Sequence, residues 1–91
     1  MNSAYRRGYD FEKRVQHYLE SKGGFVIRSA GSHSPVDLVL FRNGEISFLQ
    51  VKIDGKLSRG EREVLIYLAR ENKCRACLVF RDKKKIKFED L

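Results

Sequence analysis

Asp37 interrupts the apolar run Val36 to Phe41, and Gln50 and Lys52 lie in the β-favouring run Glu45 to Ile53 that follows Asn43-Gly44. Asn-Gly between two such runs is a strong hairpin signal, because a type I′ turn needs φ > 0 at both central positions. With Asn43 and Gly44 as the loop, Arg42 faces Glu45 and Asp37 lies directly opposite Gln50. Opposed side chains share a face, with Cβ atoms about 5 Å apart. The two-residue period of a strand puts Lys52 on that face as well. A carboxylate, a carboxamide and an ammonium thus converge on one spot. The alternative is a buried polar cluster that only satisfies itself. That is costly in a small core and packs no better than apolar residues, so the functional reading is favoured.

Glu12 is a fourth candidate. It precedes Val15 by three residues and Leu19 by seven, which places it beside the apolar stripe of a first helix. From there it could be aimed at Asp37. Taken alone, it reads equally as a solvated helix residue pairing with Gln16 or Arg14.

Seven elements are expected to position these groups. Phe11, Val15, Tyr18 and Leu19 mark one face of a helix from about Tyr5 to Ser21, which Gly23 and Gly24 end. Phe25 to Ser29 reads as a short strand and Ala30 to Pro35 as a loop. The hairpin strands Val36 to Phe41 and Glu45 to Ile53 follow. Ser58 with Glu61 forms a capping-box pattern opening a second helix to about Asn72, with Val64, Leu65, Leu68 and Ala69 as its stripe. Cys74 to Phe80 is a strand, Asp82 to Lys84 a turn and Lys85 to Phe88 an edge strand. The expected fold class is α/β, ordered αβββαββ, with a mixed sheet and helices packed against it.

The chain has 91 residues, which indicates a single domain with a small core, buried to about 60–65% of its unfolded surface. Its apolar runs fall far short of the roughly 20 residues needed to span a bilayer. No charged-then-apolar leader opens the sequence, and two cysteines do not make a disulfide framework. An intracellular protein without membrane contact is expected. Nineteen Lys and Arg against 12 Asp and Glu give a net charge of +7. So basic a small domain points first to nucleic acid; excess charge that only aids solubility is the plainer alternative.

Pro35-Val36-Asp37, a hairpin, then Gln50-Val51-Lys52 resembles the PD-(D/E)XK nuclease signature, with Gln at the usual acidic position. A wider ordered set resembles archaeal Holliday junction resolvases. It comprises Arg7-Gly8, Phe11-Glu12, Gly24-Phe25 through Arg28, the loop Gly31 to Ser34, Val36-Asp37, Asn43-Gly44 and Val51-Lys52. The resemblance covers nearly the whole chain. It implies a restriction-endonuclease-like fold and a divalent metal, Mg²⁺ or Mn²⁺, held by oxygen ligands. Glu12 and Asp37 would be carboxylate ligands, Gln50 an amide-oxygen ligand and Val51 a backbone-carbonyl ligand. Lys52 would orient or help deprotonate the attacking water and stabilise developing charge. Arg28, Ser32, His33 and Ser34 would reach the DNA backbone near the cut, and Arg6, Arg7 and Lys13 would bind phosphates.

Gln50 departs from the pattern. An amide there removes one negative charge, which should weaken metal binding and deprive Lys52 of an acidic neighbour. Either the site works with a neutral third ligand, or the protein binds branched DNA without cutting it. The expected activity is metal-dependent cleavage of four-way DNA junctions by paired nicks. The two-fold related cut sites suit a C₂ homodimer, which would also support the small core. The rivals are a nuclease for flaps, nicks or duplex and a non-catalytic DNA-binding protein.

Other residues carry less. Cys74 and Cys77 form a CxxC without a second ligand pair, and on a strand they point to opposite faces, which favours core packing. His17 reads as a helix-surface residue. The run Arg81 to Lys87 reads as a solvated edge strand, a phosphate track, or both.

Overall fold

The computed structural model describes residues 3–30 and 34–91. Helix α1, Ser3–Ser21, buries Phe11, Val15 and Leu19 on one stripe, while Tyr18 stays largely exposed beside it. Gly23 adopts φ 88°, and the Gly24 N–H closes the helix on the Leu19 carbonyl at 3.0 Å. A Cβ at Gly24 would lie 2.6 Å from Leu40 Cδ1, so this position carries the close approach of helix to sheet.

Five strands follow the expected order around a second helix: β1 Phe25–Arg28, β2 Leu38–Arg42, β3 Glu45–Val51, α2 Arg59–Glu71, β4 Arg75–Asp82 and β5 Lys85–Asp90. They form one mixed sheet in chain order, β1-β2-β3-β4-β5. Neighbours are antiparallel except β3 and β4, which run parallel because α2 crosses over between them. Asn43 at φ 53° and Gly44 at φ 77° make the β2–β3 turn, with Arg42 paired to Glu45 as expected.

Each face of the sheet carries one helix. Phe11, Val15 and Leu19 of α1 pack with Val26, Leu38, Leu49, Cys77 and Val79. Leu65 and Ala69 of α2 pack with Ala76, against Val36, Phe48 and Cys74. The two cysteines therefore serve opposite faces, and burial pushes the Cys77 thiol up to about 11, where it stays protonated. The expected α2 stripe is too wide. Val64 is 47% exposed, because α2 packs mainly on β3 and β4 and is buried along the narrower line of Leu65 and Ala69. Among the described residues no helix is long and apolar enough to cross a membrane.

Candidate active site

The β2–β3 ladder keeps the expected register as far as the pair Leu38–Leu49 and then opens. Asp37 does not sit squarely opposite Gln50. Its N–H donates to the Leu49 carbonyl at 2.8 Å, and its Oδ2 accepts the Val51 N–H at 2.8 Å. The carboxylate thus takes the place of a ladder partner, and the regular pairing of the two strands ends there. The extrapolated pairing misses this because a side-chain acceptor can replace a backbone one.

The opening leads into a cleft of about 500 Å³ lined by residues from four elements. Tyr5, Gly8, Tyr9 and Glu12 come from successive turns of α1, Arg28 and Ser29 from the end of β1, Asp37 from the entry to β2, and Gln50, Val51 and Lys52 from the end of β3. The residues that the sequence brings together, Glu12, Asp37, Gln50, Val51 and Lys52, do share this cleft.

Burial pushes the Asp37 carboxyl above its ordinary range; the Val51 N–H bond and the Lys52 charge oppose the shift, and the Glu12 charge adds to it. Glu12 accepts from Arg28 Nε at 2.9 Å. Arg28 lies over the Tyr9 ring, 4.4 Å from its centre, and holds the Tyr9 hydroxyl below its usual range. Gln50 is only 8% exposed, and among the described residues its Oε1 has no hydrogen-bond partner. A buried orphan carbonyl oxygen is costly.

These donors fit a hard divalent cation. Two carboxylates and an unpartnered amide oxygen border one cleft, and such a cation takes oxygen ligands. Among the described residues no three of His, Cys, Asp and Glu are clustered as a metal site, so a third oxygen for such a cation would have to come from Gln50, Val51 or water.

Lys52 is anchored from both ends. Its N–H donates to the Val79 carbonyl at 2.9 Å, and its Nζ meets Glu61 Oε2 at 2.8 Å. Glu61 Oε1 accepts the Ser58 N–H at 3.1 Å while Ser58 Oγ accepts the Glu61 N–H, so one carboxylate caps α2 and holds the lysine. Lys52, with the Ser58 N–H, keeps the Glu61 carboxyl below its usual range. Sequence reading found Glu61 as a capping residue only. Its second role depends on the loop from Ile53 to Leu57 folding back, which no local pattern reports. Tyr5 and Tyr9 were also missed, although both fall on the helical spacing that ends at Glu12.

The expected phosphate contacts divide. Arg6, Arg7 and Lys13 are exposed on α1, with Lys13 Nζ 5.4 Å from the Tyr9 ring centre. Arg28 is not free but clamped to Glu12. Ser34 Oγ donates to the Val36 carbonyl at 2.8 Å and accepts the Val36 N–H, bracing the entry to β2. Ser32 and His33 lie outside the described residues.

The sequence model of the archaeal Holliday junction resolvase (Hjc) family matches residues 3–91. The chain belongs to that family. It is 43% identical over 56 residues to the crossover junction endodeoxyribonuclease Hjc of Methanocaldococcus jannaschii, an alignment covering 62% of this chain and 41% of that protein. The matched stretch thus spans less than half of that Hjc protein. The fold superposes on Hjc of Archaeoglobus fulgidus, a Holliday junction resolvase from an archaeal hyperthermophile, with a TM-score of 0.76 at 28% identity. That match covers 89% of this chain and 73% of the other. The αβββαββ architecture is therefore that of an Hjc nuclease.

Proposed function

We propose that this protein is a divalent-metal-dependent endonuclease that nicks four-way DNA junctions in pairs, as a homodimer. The observation that carries the reading is the buried Oε1 of Gln50, without a hydrogen-bond partner among the described residues, in the cleft that Glu12, Asp37 and Lys52 also line. It leaves an oxygen donor unsatisfied where a cation would satisfy it. Membership of the Hjc family supports the substrate.

Glu12, Asp37, Gln50 and the Val51 carbonyl would hold Mg²⁺ or Mn²⁺. When bound, such an ion lowers the pKa of its water and offsets phosphate charge. Lys52 orients the attacking water and stabilises the charge that develops on the phosphate. Glu61 holds that ammonium in place through their 2.8 Å ion pair. Arg28 stands at the rim, within reach of an incoming phosphate, and Arg6, Arg7 and Lys13 lie on the same helix for flanking contacts.

The homodimer has a candidate surface. On the α2 side of the sheet, α2 leaves β1 and β2 bare. Phe25 is 65% and Ile27 48% exposed there, beside Phe41 and Ile46. The Phe25 and Phe41 rings are 5.9 Å apart. Tyr67 on α2 is a further exposed aromatic, at 60%. Contiguous apolar surface on so small a domain fits self-association, and a two-fold dimer offers two clefts to a junction's two related cut sites.

The test is incubation with an end-labelled four-way junction, with Mg²⁺ and with chelator, beside duplex and flap controls. Metal-dependent paired nicks on the junction alone support the proposal. Equal cutting of flap or duplex contradicts the junction assignment, and metal-dependent binding or metal-free binding without any cutting contradicts the enzyme and favours the reading that Gln50 has disarmed the site.

A further inference from the structure

The basic run Arg81 to Lys87 is not used by the cleft chemistry, and the fold gives it a definite place. It is the β4–β5 hairpin turn, with Asp82 paired to Lys85 and Lys83-Lys84 at the tip. Strands β3 and β4 are parallel, so this turn leaves the same end of the sheet as Val51 and Lys52. Two contacts fix that relation: Arg81 N–H donates to the Ile53 carbonyl at 3.3 Å, and Arg14 Nη2 of α1 donates to the Lys84 carbonyl at 2.7 Å.

Charge is sorted along this hairpin. At its far end, Glu89 pairs with Arg62 and Asp90 with Arg75. At the turn, among the described residues, Arg14, Arg81, Lys83, Lys84 and Lys85 form no ion pair. Lys83 and Lys84 also adopt φ 50° and 68°, left-handed positions that favour Asn and Gly. Lysines in strained backbone, unpaired and exposed, with Arg14 braced behind them, make a fixed cationic prong beside the cleft.

Building on the nuclease reading above, we propose that the β4–β5 turn is a second phosphate-contact site, gripping the backbone of a duplex arm as it runs past the cleft. Phosphates along a duplex suit it because the prong offers point charges without apolar anchors or base-reading side chains. Its contribution is to affinity and to the placing of the arm, not to bond breaking.

The experiment measures junction binding by fluorescence anisotropy in chelator, across a salt series. Lys83→Asn with Lys84→Gly removes two charges and installs the sequence that a type I′ turn prefers, so folding is kept or improved. Lys22→Gln with Lys73→Asn removes the same charge at the opposite end of the sheet and serves as the control. The turn variant should bind a long-armed junction several-fold more weakly, with a log–log salt slope shallower by roughly 1 to 2, at about 0.9 per lost phosphate contact. The control should keep most of the wild-type slope, and trimming the arms to a few base pairs should erase the difference between wild type and turn variant. An unchanged slope in the turn variant, or an equal change in the control, overturns the proposal while leaving the nuclease reading intact. Absence of salt-dependent junction binding by the wild type would overturn both.

Discussion

Asp37 does two structural jobs that conflict with its charge. Its carboxylate is largely buried, yet it holds the Val51 N–H where the regular β2–β3 pairing ends. Because burial raises its pKa, the folded state binds this proton more tightly than the unfolded state. The contribution to stability is therefore present in acid and lost as pH rises through the raised value. Asp37→Asn keeps an oxygen acceptor and removes the charge. Metal-free thermal unfolding should show the variant more stable than wild type at neutral pH, the gap closing on acidification. Gln50→Glu should act in the opposite sense. A third carboxylate beside Glu12 and Asp37 should lower the Mg²⁺ concentration needed for cleavage and lower the metal-free melting temperature, which a metal titration and a melt will read. The signature residues were legible in the sequence because hairpin geometry brings Asp37, Gln50 and Lys52 together without tertiary information. The partners that tune them, Arg28 on Glu12 and Glu61 on Lys52, were not, since each pair joins separate elements.

At the scale of elements, α2 is more than a crossover. Its N-terminal cap and the active-site lysine share Glu61, so local helix stability and site geometry can be separated by two substitutions. Ser58→Ala removes the cap and should cost about 1 kcal/mol of stability while leaving the cleavage rate nearly unchanged. Glu61→Gln loses the Lys52 ion pair. Both groups are partly exposed, so the stability loss should stay below about 1 kcal/mol after solvent screening, while single-turnover cleavage falls by roughly tenfold. Denaturant melts and single-turnover rates on the two variants check this pair of outcomes. The order of elements was readable because periodicity, the Asn43-Gly44 turn and the Ser58–Glu61 cap are all local signals. The exposure of Val64 and the end of the β2–β3 pairing at Leu38–Leu49 were not, because both depend on contacts that no local pattern reports.

For the whole molecule, charge and apolar surface occupy different places. Arg14 of α1 and the basic β4–β5 turn meet at the end of the sheet that carries Val51 and Lys52, and the uncovered apolar face lies on the α2 side of β1 and β2. A dimer formed through that face would leave the cleft rims open to DNA. Light scattering should return about twice the 10.6 kDa chain mass, and Phe25→Asp with Ile27→Asp should return the chain mass with the fold retained by circular dichroism. The small core leaves the chain either near its stability threshold or supported by a partner, but which face is bare became visible only once α2 was placed. The central claim is that the cleft of Glu12, Asp37, Gln50 and Lys52 is a metal-dependent nuclease centre. Its most direct test is Asp37→Asn assayed on one labelled four-way junction for both cutting in Mg²⁺ and binding in chelator. The account predicts cutting reduced by at least about a thousandfold with binding unchanged or tighter, because the carboxylate serves the chemical step and repels phosphate when metal is absent. Cutting at the wild-type rate by Asp37→Asn would contradict it.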